Sequence, residues 1–240
     1  MKETDRFVDN KLVELGVNYN RTFAAKHDVS GLLVINYQDY HNRYLTGENL
    51  DMAGIYPEIM GSATTPKVNG EESYSERASM IGRATYGYDN RYFIEGSFRV
   101  DGSTKFHPDN RWGFFPSLSA GWVISEENFM KSTRKVLDFL KVRASYGLLG
   151  NQNIGNYPYA ATIATGYGYY LGGEEADKEL VSGVAQTTLA NSDISWEKSK
   201  QINFGIDFSL WNGLLSVTAD YYIKNIYDML MKFPLPYYVG

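Results

Sequence analysis

Apolar and polar residues alternate along two neighbouring stretches close to the C-terminal end of the chain. Every second residue is apolar from Ile202 to Leu210, and the same alternation returns from Leu215 to Ile223. A period of two is typical of β-strands, and Asn212-Gly213 between the stretches suits a tight turn, which needs positive φ angles. The pattern therefore predicts a long β-hairpin.

Each arm of this hairpin is longer than an ordinary strand of a soluble domain, which has about 5–6 residues. It approaches the roughly 9–11 residues with which a tilted strand crosses a bilayer. One face carries large aliphatic and aromatic groups and the other carries groups that suit water, as in the strands of membrane barrels. A long hairpin in a soluble β-sandwich shows the same alternation, so the hairpin alone leaves both interpretations open.

Six further stretches of the chain alternate in the same way. They cover residues 11–21, 33–38, 78–88, 92–101, 112–124 and 140–148. Pro116 cannot donate to a ladder and predicts an irregularity or a bulge in the fifth of them. Residues 125–137 predict a short helix, because acidic residues lie at its start and basic residues towards its end.

The connections between these predicted strands alternate in length. Residues 42–76 and 151–194 predict long loops, whereas the connections at Asp89-Asn90 and at the hairpin turn are short. Barrels of the outer membrane alternate short periplasmic turns with long external loops. A soluble sandwich has no reason to place its long loops on alternate connections, so the connections favour a membrane barrel.

Composition narrows the class of protein further. The longest apolar run, Leu32 to Ile35, is far shorter than the roughly 20 residues of a spanning helix, which excludes a helical membrane protein. The net charge of −5 argues against a nucleic-acid partner. The 20 Tyr, 12 Phe and 4 Trp suit membrane interfaces or ligand-binding surfaces. The absence of cysteine excludes disulfides, and the polar N-terminus predicts no signal peptide.

Four ordered motifs resemble those of the SusC/RagA-type TonB-linked outer-membrane transporters. The resemblance is carried by residues 98–106 (FRVDGSTKF), 112–122 (WGFFPS followed by AGW), 143–159 (RASYG followed by GNQNIGNYPY), and 195–222 (SWEK, then DF and DYY). It extends from about Tyr86 to Asp228, and residues 1–75 match less distinctly. Because the motifs are ordered and closely spaced, the resemblance is more specific than a single short motif.

The resemblance implies an all-β fold, an antiparallel up-and-down transmembrane β-barrel wall of about eight long strands. This wall is partial relative to a plugged barrel of about 22 strands. We expect residues 1–240 to form one partial TonB-dependent receptor β-barrel domain, without a plug, a TonB-contacting segment or a signal peptide. The implied location is the outer membrane of a Gram-negative bacterium.

The resemblance also implies a function and partners. Members of the family import oligosaccharides or peptides together with a SusD-type surface lipoprotein that closes over the barrel. TonB supplies energy through the plug, and outer-membrane lipid surrounds the wall. The alternative function is that of a soluble extracellular β-sheet protein that binds carbohydrate, and an outer-membrane enzyme is a weaker third hypothesis. The apolar rows distinguish the first two, since they lie exposed outside a barrel but are buried against a second sheet in a sandwich.

The alternation and the resemblance together assign candidate residues to two faces. Polar residues are expected to face the lumen of the barrel at Glu95, Arg99, Asp101, Lys141, Arg143, Asn203, Asp207 and Asp220. Apolar residues are expected to face lipid at Ile202, Phe204, Ile206, Phe208, Leu215, Val217 and Tyr221. Among the polar residues we expect ion pairs within the groups Glu95, Arg99 and Asp101, and Lys141 with Arg143.

Tyrosines of the longest predicted loop are the best candidates for ligand contact, because their rings stack on sugars and their hydroxyls form hydrogen bonds. They are Tyr157, Tyr159, Tyr167, Tyr169 and Tyr170. The alternative is that they pack the loop or meet the surface lipoprotein.

The sequence contains no arrangement of residues that is typical of a catalytic or metal site. The three histidines lie in separate connections, and the acidic residues at 174–179 have no EF-hand spacing. We therefore expect no catalytic residues, no metal site and no cofactor. Trp122 and Trp211 are expected in an aromatic girdle on the periplasmic side and Trp196 in one on the outer side.

Overall fold

The computed structural model of the chain describes residues 2–49, 66–171, 179–186 and 190–231. Within these residues the long elements are all β-strands. Their bounds are β1 Lys2–Phe23, β2 His27–Asn49, β3 Pro66–Tyr88, β4 Tyr92–Ser103, β5 Trp112–Val123, β6 Leu137–Asn151, β7 Ile163–Leu171, β8 Glu179–Gln186, β9 Glu197–Leu210 and β10 Leu215–Tyr227. No helix in this part of the chain has the length and apolar character needed to cross a membrane.

The strands of the described residues form one eight-stranded sheet in the order β1-β2-β3-β4-β5-β6-β9-β10, with β7 and β8 paired separately. Each pairing is antiparallel. The sheet is open, with β1 and β10 at its edges. The predicted all-β, up-and-down wall is confirmed, and an open sheet is what a partial barrel leaves.

The two ends of the sheet differ in their connections. One end, called here the turn end, carries the short connections at residues 24–26, 89–91 and 211–214 and the β5–β6 connection. Positive φ angles of 53°, 54° and 83° at Trp211, Asn212 and Gly213 form the last of these turns. The opposite end, the loop end, carries the other connections. Short and long connections therefore alternate as the sequence predicts, except that the β5–β6 connection at residues 124–136 is longer than the β4–β5 connection at residues 104–111.

The register divides the sheet into a polar and an apolar face. Side chains directly opposite each other point to the same side. The polar face contains the row Glu95, Ser119, Ser145 and Asn203, and the apolar face contains the neighbouring row Ile94, Ala120, Ala144, Phe204 and Tyr221. Every second residue along a strand points to the same face. Counted from these two rows, all eight polar candidates lie on the polar face and all seven apolar candidates lie on the apolar face.

The apolar face is exposed rather than packed. Leu15, Phe114 and Phe204 keep 71%, 58% and 56% of their surface accessible. The one other sheet of the described residues, the β7–β8 pair, does not bury these side chains, since they stay exposed. An apolar surface of this extent marks a contact with another apolar phase. A soluble sandwich would bury it.

The apolar face has the height of a bilayer. On β3 its uncharged positions run from Ala78 to Tyr88. Eleven residues at about 3.3 Å each, tilted by about 40°, span about 25 Å, which is the height of the apolar band of outer-membrane barrels.

The edge of the apolar face slants across the sheet. The row through Gln201 passes through Gly147, Ser117, Ser97, Arg83 and Leu32 to Asn18. On the apolar face, the first charge beyond this row is the next residue on β9, Lys200, but on β1 it is Lys11, about 20 Å further along the strand at roughly 3.3 Å per residue. Strands that tilt in a barrel are staggered in this way.

Three local predictions, for two loops and a helix, are wrong. Residues 42–49 and 66–76 extend β2 and β3 instead of forming a loop, and β7 and β8 lie within the predicted loop 151–194. The irregularity predicted at Pro116 is present and is not a bulge. The register of Pro116 with β4 is unbroken, but the β5–β6 ladder begins only at Ser117, so residues 112–116 lack a partner on β6. Two short 3-10 helices, Ile124–Glu126 and Asn128–Thr133, replace the predicted helix at 125–137.

Aromatic side chains form a belt at the turn end of the apolar face. Ring centroids are 5.0 Å apart for His27 and Tyr88, 6.3 Å for Tyr88 and Tyr92, and 6.3 Å for Tyr92 and Trp122. Such belts are typical of a membrane–water interface. Glu127, in the β5–β6 connection, accepts hydrogen bonds from the Tyr92 hydroxyl and, at 3.1 Å, from Trp122 Nε1.

These donors make the charge of Glu127 important for stability. The hydrogen bonds from Tyr92 and Trp122 hold the pKa of Glu127 below its usual range. A depressed pKa in the folded state stabilises the fold above the unfolded pKa of about 4.3, and this contribution is lost as pH falls through the folded value. We expect Glu127→Gln to lower the urea midpoint at pH 7 and to match the wild type at the acidic end of a titration from pH 7 to pH 3. An equal difference at every pH would contradict this.

Candidate functional site

A cavity of about 730 Å³ lies on the polar face towards the turn end. Its lining includes Asn20 and Thr22 of β1, Lys141 of β6, and Asn203 of β9. β1 and β9 lie six places apart in the strand order. Because residues this distant border one cavity, the polar face is concave, as the inner face of a barrel wall is.

Arg143 is the centre of an ion cluster beside this cavity. Its Nε donates to Asp207 Oδ2 at 2.8 Å and its Nη2 to Asp207 Oδ1 at 3.1 Å. Nη2 also lies 3.3 Å from Asp220 Oδ1. Thr218 and Asn203 donate further hydrogen bonds to these two carboxylates. The expected pairing of Lys141 with Arg143 is therefore wrong. Both side chains are positively charged and each needs an acidic partner, and the partners of Arg143 lie on β9 and β10.

Gly205 leaves room for the Arg143 side chain to cross β9. A Cβ added at Gly205 would lie 2.8 Å from Arg143 Cζ and 2.7 Å from Asp220 Oδ1. Real Cβ atoms are not found this close to other heavy atoms. The glycine therefore lets the guanidinium cross β9 and reach the carboxylate on β10.

We expect Gly205→Ala to destabilise the wall by about 1–2 kcal/mol, because it separates Arg143 from Asp220 and leaves a charge-assisted hydrogen bond unmade. Urea unfolding of the full-length protein in detergent measures the loss. Gly147→Ala is the matched control, since its Cβ would meet only Ser117 Cβ at an ordinary 3.5 Å. If both variants are equally stable, or if Asp220→Asn does not reduce the effect of Gly205→Ala, the cluster does not depend on this glycine.

Lys141 and Glu95 line the same cavity and form no salt bridge among the described residues. Lys141 Nζ lies 5.3 Å from the centroid of the Phe93 ring. Glu95 makes no ion pair with the Arg99 and Asp101 that share its strand. Instead Arg99 Nε donates to Asp101 Oδ2 at 2.5 Å, and Ser79 Oγ donates to Asp101 Oδ1. The cavity thus presents Lys141 and Glu95 as charges of opposite sign outside the ion cluster of Arg143.

An aromatic cluster closes the loop end of the polar face. Phe106, Phe115 and Trp196 are 0%, 6% and 4% exposed. The ring of Trp196 lies 5.1 Å from that of Phe106 and 5.4 Å from that of Phe115. Trp196 is therefore part of a packed core, and its predicted place in an aromatic girdle is wrong. Sequence periodicity missed this cluster because its rings come from distant segments.

Hydrogen bonds tie the loops around this cluster together. Trp196 Nε1 donates to Arg111 O at 2.9 Å, Lys105 Nζ to Ile154 O at 2.9 Å, and Asn110 Nδ2 to Ser192 O at 3.0 Å. The β4–β5, β6–β7 and β8–β9 connections thus form one packed platform. We name it the loop platform.

Two glycines of the sequence motifs make room for the cluster. A Cβ at Gly150 would lie 2.0 Å from Phe115 Cζ, and one at Gly113 would lie 2.4 Å from the same atom. The motif pattern therefore has a physical cause, since the Phe115 ring lies across both backbones.

The structure places two of the five candidate tyrosines beside the loop platform. The Tyr157 hydroxyl donates to Tyr74 O at 3.0 Å, and burial raises its pKa. Tyr159 contacts the rings of Tyr157 and His107 edge-on. The backbones of Tyr167, Tyr169 and Tyr170 lie in β7, but their side chains fall outside the described part of the structure. The packing of Tyr157 suits the loop alternative, and ligand contact stays a prediction.

Candidate metal ligands do not cluster in the described residues, where no group of three His, Asp or Glu side chains could hold an ion. Glu174, Glu175 and Asp177 of the acidic stretch lie outside these residues.

Comparison with known proteins agrees with this geometry. The family model described as "TonB dependent receptor-like, beta-barrel" matches residues 2–240. TonB-dependent receptor P39 of Formosa agariphila is 35% identical over 226 residues, which cover 93% of this chain and 21% of that protein. TonB-dependent receptor SusC of Bacteroides thetaiotaomicron is 35% identical over 176 residues, covering 71% of this chain and 17% of SusC.

Solved structures give the same result. The RagAB peptide transporter matches with a TM-score of 0.82 and 27% identity, over 100% of this chain and 26% of the matched chain. Its importer form in the 'open-open' state matches with a TM-score of 0.79. The chain spans about a fifth of the length of the curated relatives it matches.

Proposed function

Because the chain belongs to the TonB-dependent receptor β-barrel family, a family of outer-membrane proteins of Gram-negative bacteria, we propose that it forms part of the wall of an importer. The cargo is an oligosaccharide or a peptide. The apolar face meets outer-membrane lipid, and the polar face lines the lumen. The turn end lies in the periplasm and the loop end faces outward.

One observation carries this proposal, the division of a single sheared sheet into an exposed apolar face and a concave polar face. A lipid-exposed strand edge or an unpaired backbone is unfavourable in a membrane, so such a wall functions within a closed barrel. The polar face offers the groups that a polar cargo needs, including Lys141 and Glu95, which form no salt bridge among the described residues. The exposure of the apolar face weighs against the soluble carbohydrate-binding alternative.

The partners follow from the same arrangement. The loop platform presents a rigid outward surface on which a SusD-type lipoprotein can close. TonB acts through a plug domain. The matched RagAB structures are those of a peptide importer, which supports peptide as one cargo class.

Uptake measurements test the proposal. A strain without the full-length gene is expected to lose uptake of fluorescent peptides or oligosaccharides, and the wild-type gene is expected to restore it only when TonB is present. Restoration without TonB, or no effect of the deletion on either cargo class, would rule the proposal out.

A matched pair of wall variants adds a structural control. Ser145→Trp fills the cavity on the polar face, whereas Ala144→Trp adds the same side chain on the apolar face. We expect only Ser145→Trp to reduce uptake when both variants reach the same surface level. Equal uptake by the two variants would contradict the assignment of the polar face to the lumen.

A further inference from the structure

A second cavity, of about 520 Å³, lies on the polar face nearer the loop end. It borders the place where the wall is split. Residues 112–116 of β5 have no partner on β6, and Phe115 on one side of the split and Leu148 and Gly150 on the other all line the cavity. Its volume lies within the range of about 300–1,000 Å³ that is usual for ligand sites.

The charges that line this cavity do not balance. Asp101 is 5% exposed, and its two oxygens accept hydrogen bonds from Arg99 and Ser79. Its charge is therefore matched by Arg99. Arg77 lines the same cavity and has no ionic partner among the described residues, since its Nη2 donates to the neutral Gln38. The lining therefore carries a surplus of one positive charge.

Two polar atoms of the lining residues lack hydrogen-bond partners. Arg77 Nε and Gln152 Oε1 are both buried and unpaired in the described part of the chain. The first is a donor with positive charge and the second is an acceptor. Buried polar groups are normally paired, and both side chains line one cavity, so a ligand towards which they reorient can supply both complements.

The remaining lining is largely apolar. Ile81, Phe98, Phe115, Leu148, Leu149 and Trp196 contribute to it. A sugar ring carries hydroxyls around its edge and would leave them unpaired against these side chains. A peptide C-terminus instead offers a carboxylate for Arg77, a backbone N–H for Gln152, and a side chain for the apolar surface.

We propose that this cavity is a subsite for the C-terminal residue of a peptide cargo, in which Arg77 binds the carboxylate and Gln152 accepts from the backbone amide. The inference rests on the proposed import function and narrows its cargo class. The subsite selects peptides with a free C-terminal carboxylate and an apolar last residue.

Peptide libraries of random sequence test the subsite without a known cargo. The full-length protein in detergent is mixed with ten-residue peptides that end in a free carboxylate or in an amide, and bound peptides are counted by mass spectrometry. We expect an enrichment of the free acids of about tenfold, as a charge-assisted bidentate contact can provide. No enrichment would overturn the subsite.

Three variants assign the enrichment to this cavity. Arg77→Gln and Gln152→Glu are expected to reduce it to less than about twofold, the first by removing the cation and the second by repelling the carboxylate. Gln152 lies outside the strands, so this variant stays informative if Arg77→Gln fails to fold. Arg83→Gln is the matched control on the same strand and face, because Arg83 lines neither cavity. Equal loss in Arg83→Gln, or retained enrichment in Gln152→Glu, would overturn the assignment.

Two further experiments distinguish failure of the proposed subsite from failure of the proposed import function. Galacturonate hexamers are compared with galactose hexamers, and an acid preference seen only with these sugars would overturn the peptide assignment. Uptake of the same peptide libraries is measured in cells. Uptake without acid preference rejects the subsite alone, whereas acid-selective binding without uptake rejects the import function alone.

Discussion

Replacing Phe204 by lysine is expected to reduce the stability of the assembled barrel by about 2–4 kcal/mol, the cost of a cation near the bilayer midplane on the lipid face of a barrel. Phe204 lies midway along the apolar positions of β9, opposite Ala144 on β6 and Tyr221 on β10, and is 56% exposed. The charge therefore cannot reach a carboxylate on the polar face. Urea titration of the full-length protein in lipid vesicles, followed by heat-modifiable gel mobility, measures the loss.

Asn203→Lys is the matched control for this change. It places the same charge one residue away on the polar face, where Asn203 donates to Asp220 Oδ1 at 3.3 Å and a lysine gains an ionic partner. We expect its stability to stay within about 1 kcal/mol of the wild type, as is usual for partly exposed ion pairs. Equal destabilisation by both variants would show that the two faces do not meet different solvents.

Removing the Phe115 side chain is expected to have the second large effect. Phe→Ala in a packed core costs about 3–5 kcal/mol, and Phe115 packs between Trp196, Gly113 and Gly150. Because the cluster joins three connections, the loss is expected in the loop platform rather than in the strands of the turn end. Hydrogen exchange of the Phe106 and Ile154 amides is expected to accelerate by about a hundredfold or more.

Phe114→Ala provides the control for Phe115→Ala. Phe114 is the preceding residue, lies on the apolar face and is 58% exposed. We expect it to leave the exchange of both amides unchanged. Gly150→Ala extends the test, since its Cβ collides with Phe115 and should harm the wild type but not the Phe115→Ala variant. Additive effects of these two changes would contradict the contact.

The period of two predicted the strands and their faces because apolar and polar side chains alternate along each strand. The prediction failed where this alternation ends. Beyond the apolar band, β2 carries Asp39, His41 and Arg43 on the face that is apolar lower down, and Glu76 and Glu72 lie opposite two of them on β3. The backbone ladder continues there although the side-chain pattern does not, so residues 42–49 and 66–76 resembled a loop in the sequence.

The sequence predicted which residues of the candidate site share a face of the sheet, but it did not predict which of them contact each other. Arg143 pairs with Asp207 and Asp220, which are 64 and 77 residues away in the chain. Such pairings depend on the register between neighbouring strands, and this register cannot be read from a single sequence. The aromatic cluster was missed for the same reason, although Gly113 beside Phe115, and Gly150 in a later motif, are a signal that a ring crosses both backbones.

A cysteine scan of β9 tests the central claim most directly, namely that one face of the sheet meets lipid and the other lines water. The chain contains no cysteine, so single substitutions from Ile202 to Ser209 in the full-length protein carry one label each once any cysteine outside this chain is replaced. Spin labels at Ile202, Phe204, Ile206 and Phe208 are predicted to be relaxed by oxygen, which dissolves in lipid, and those at Asn203, Gly205, Asp207 and Ser209 by a water-soluble nickel complex. Oxygen and nickel accessibility that do not alternate along these residues would contradict the account.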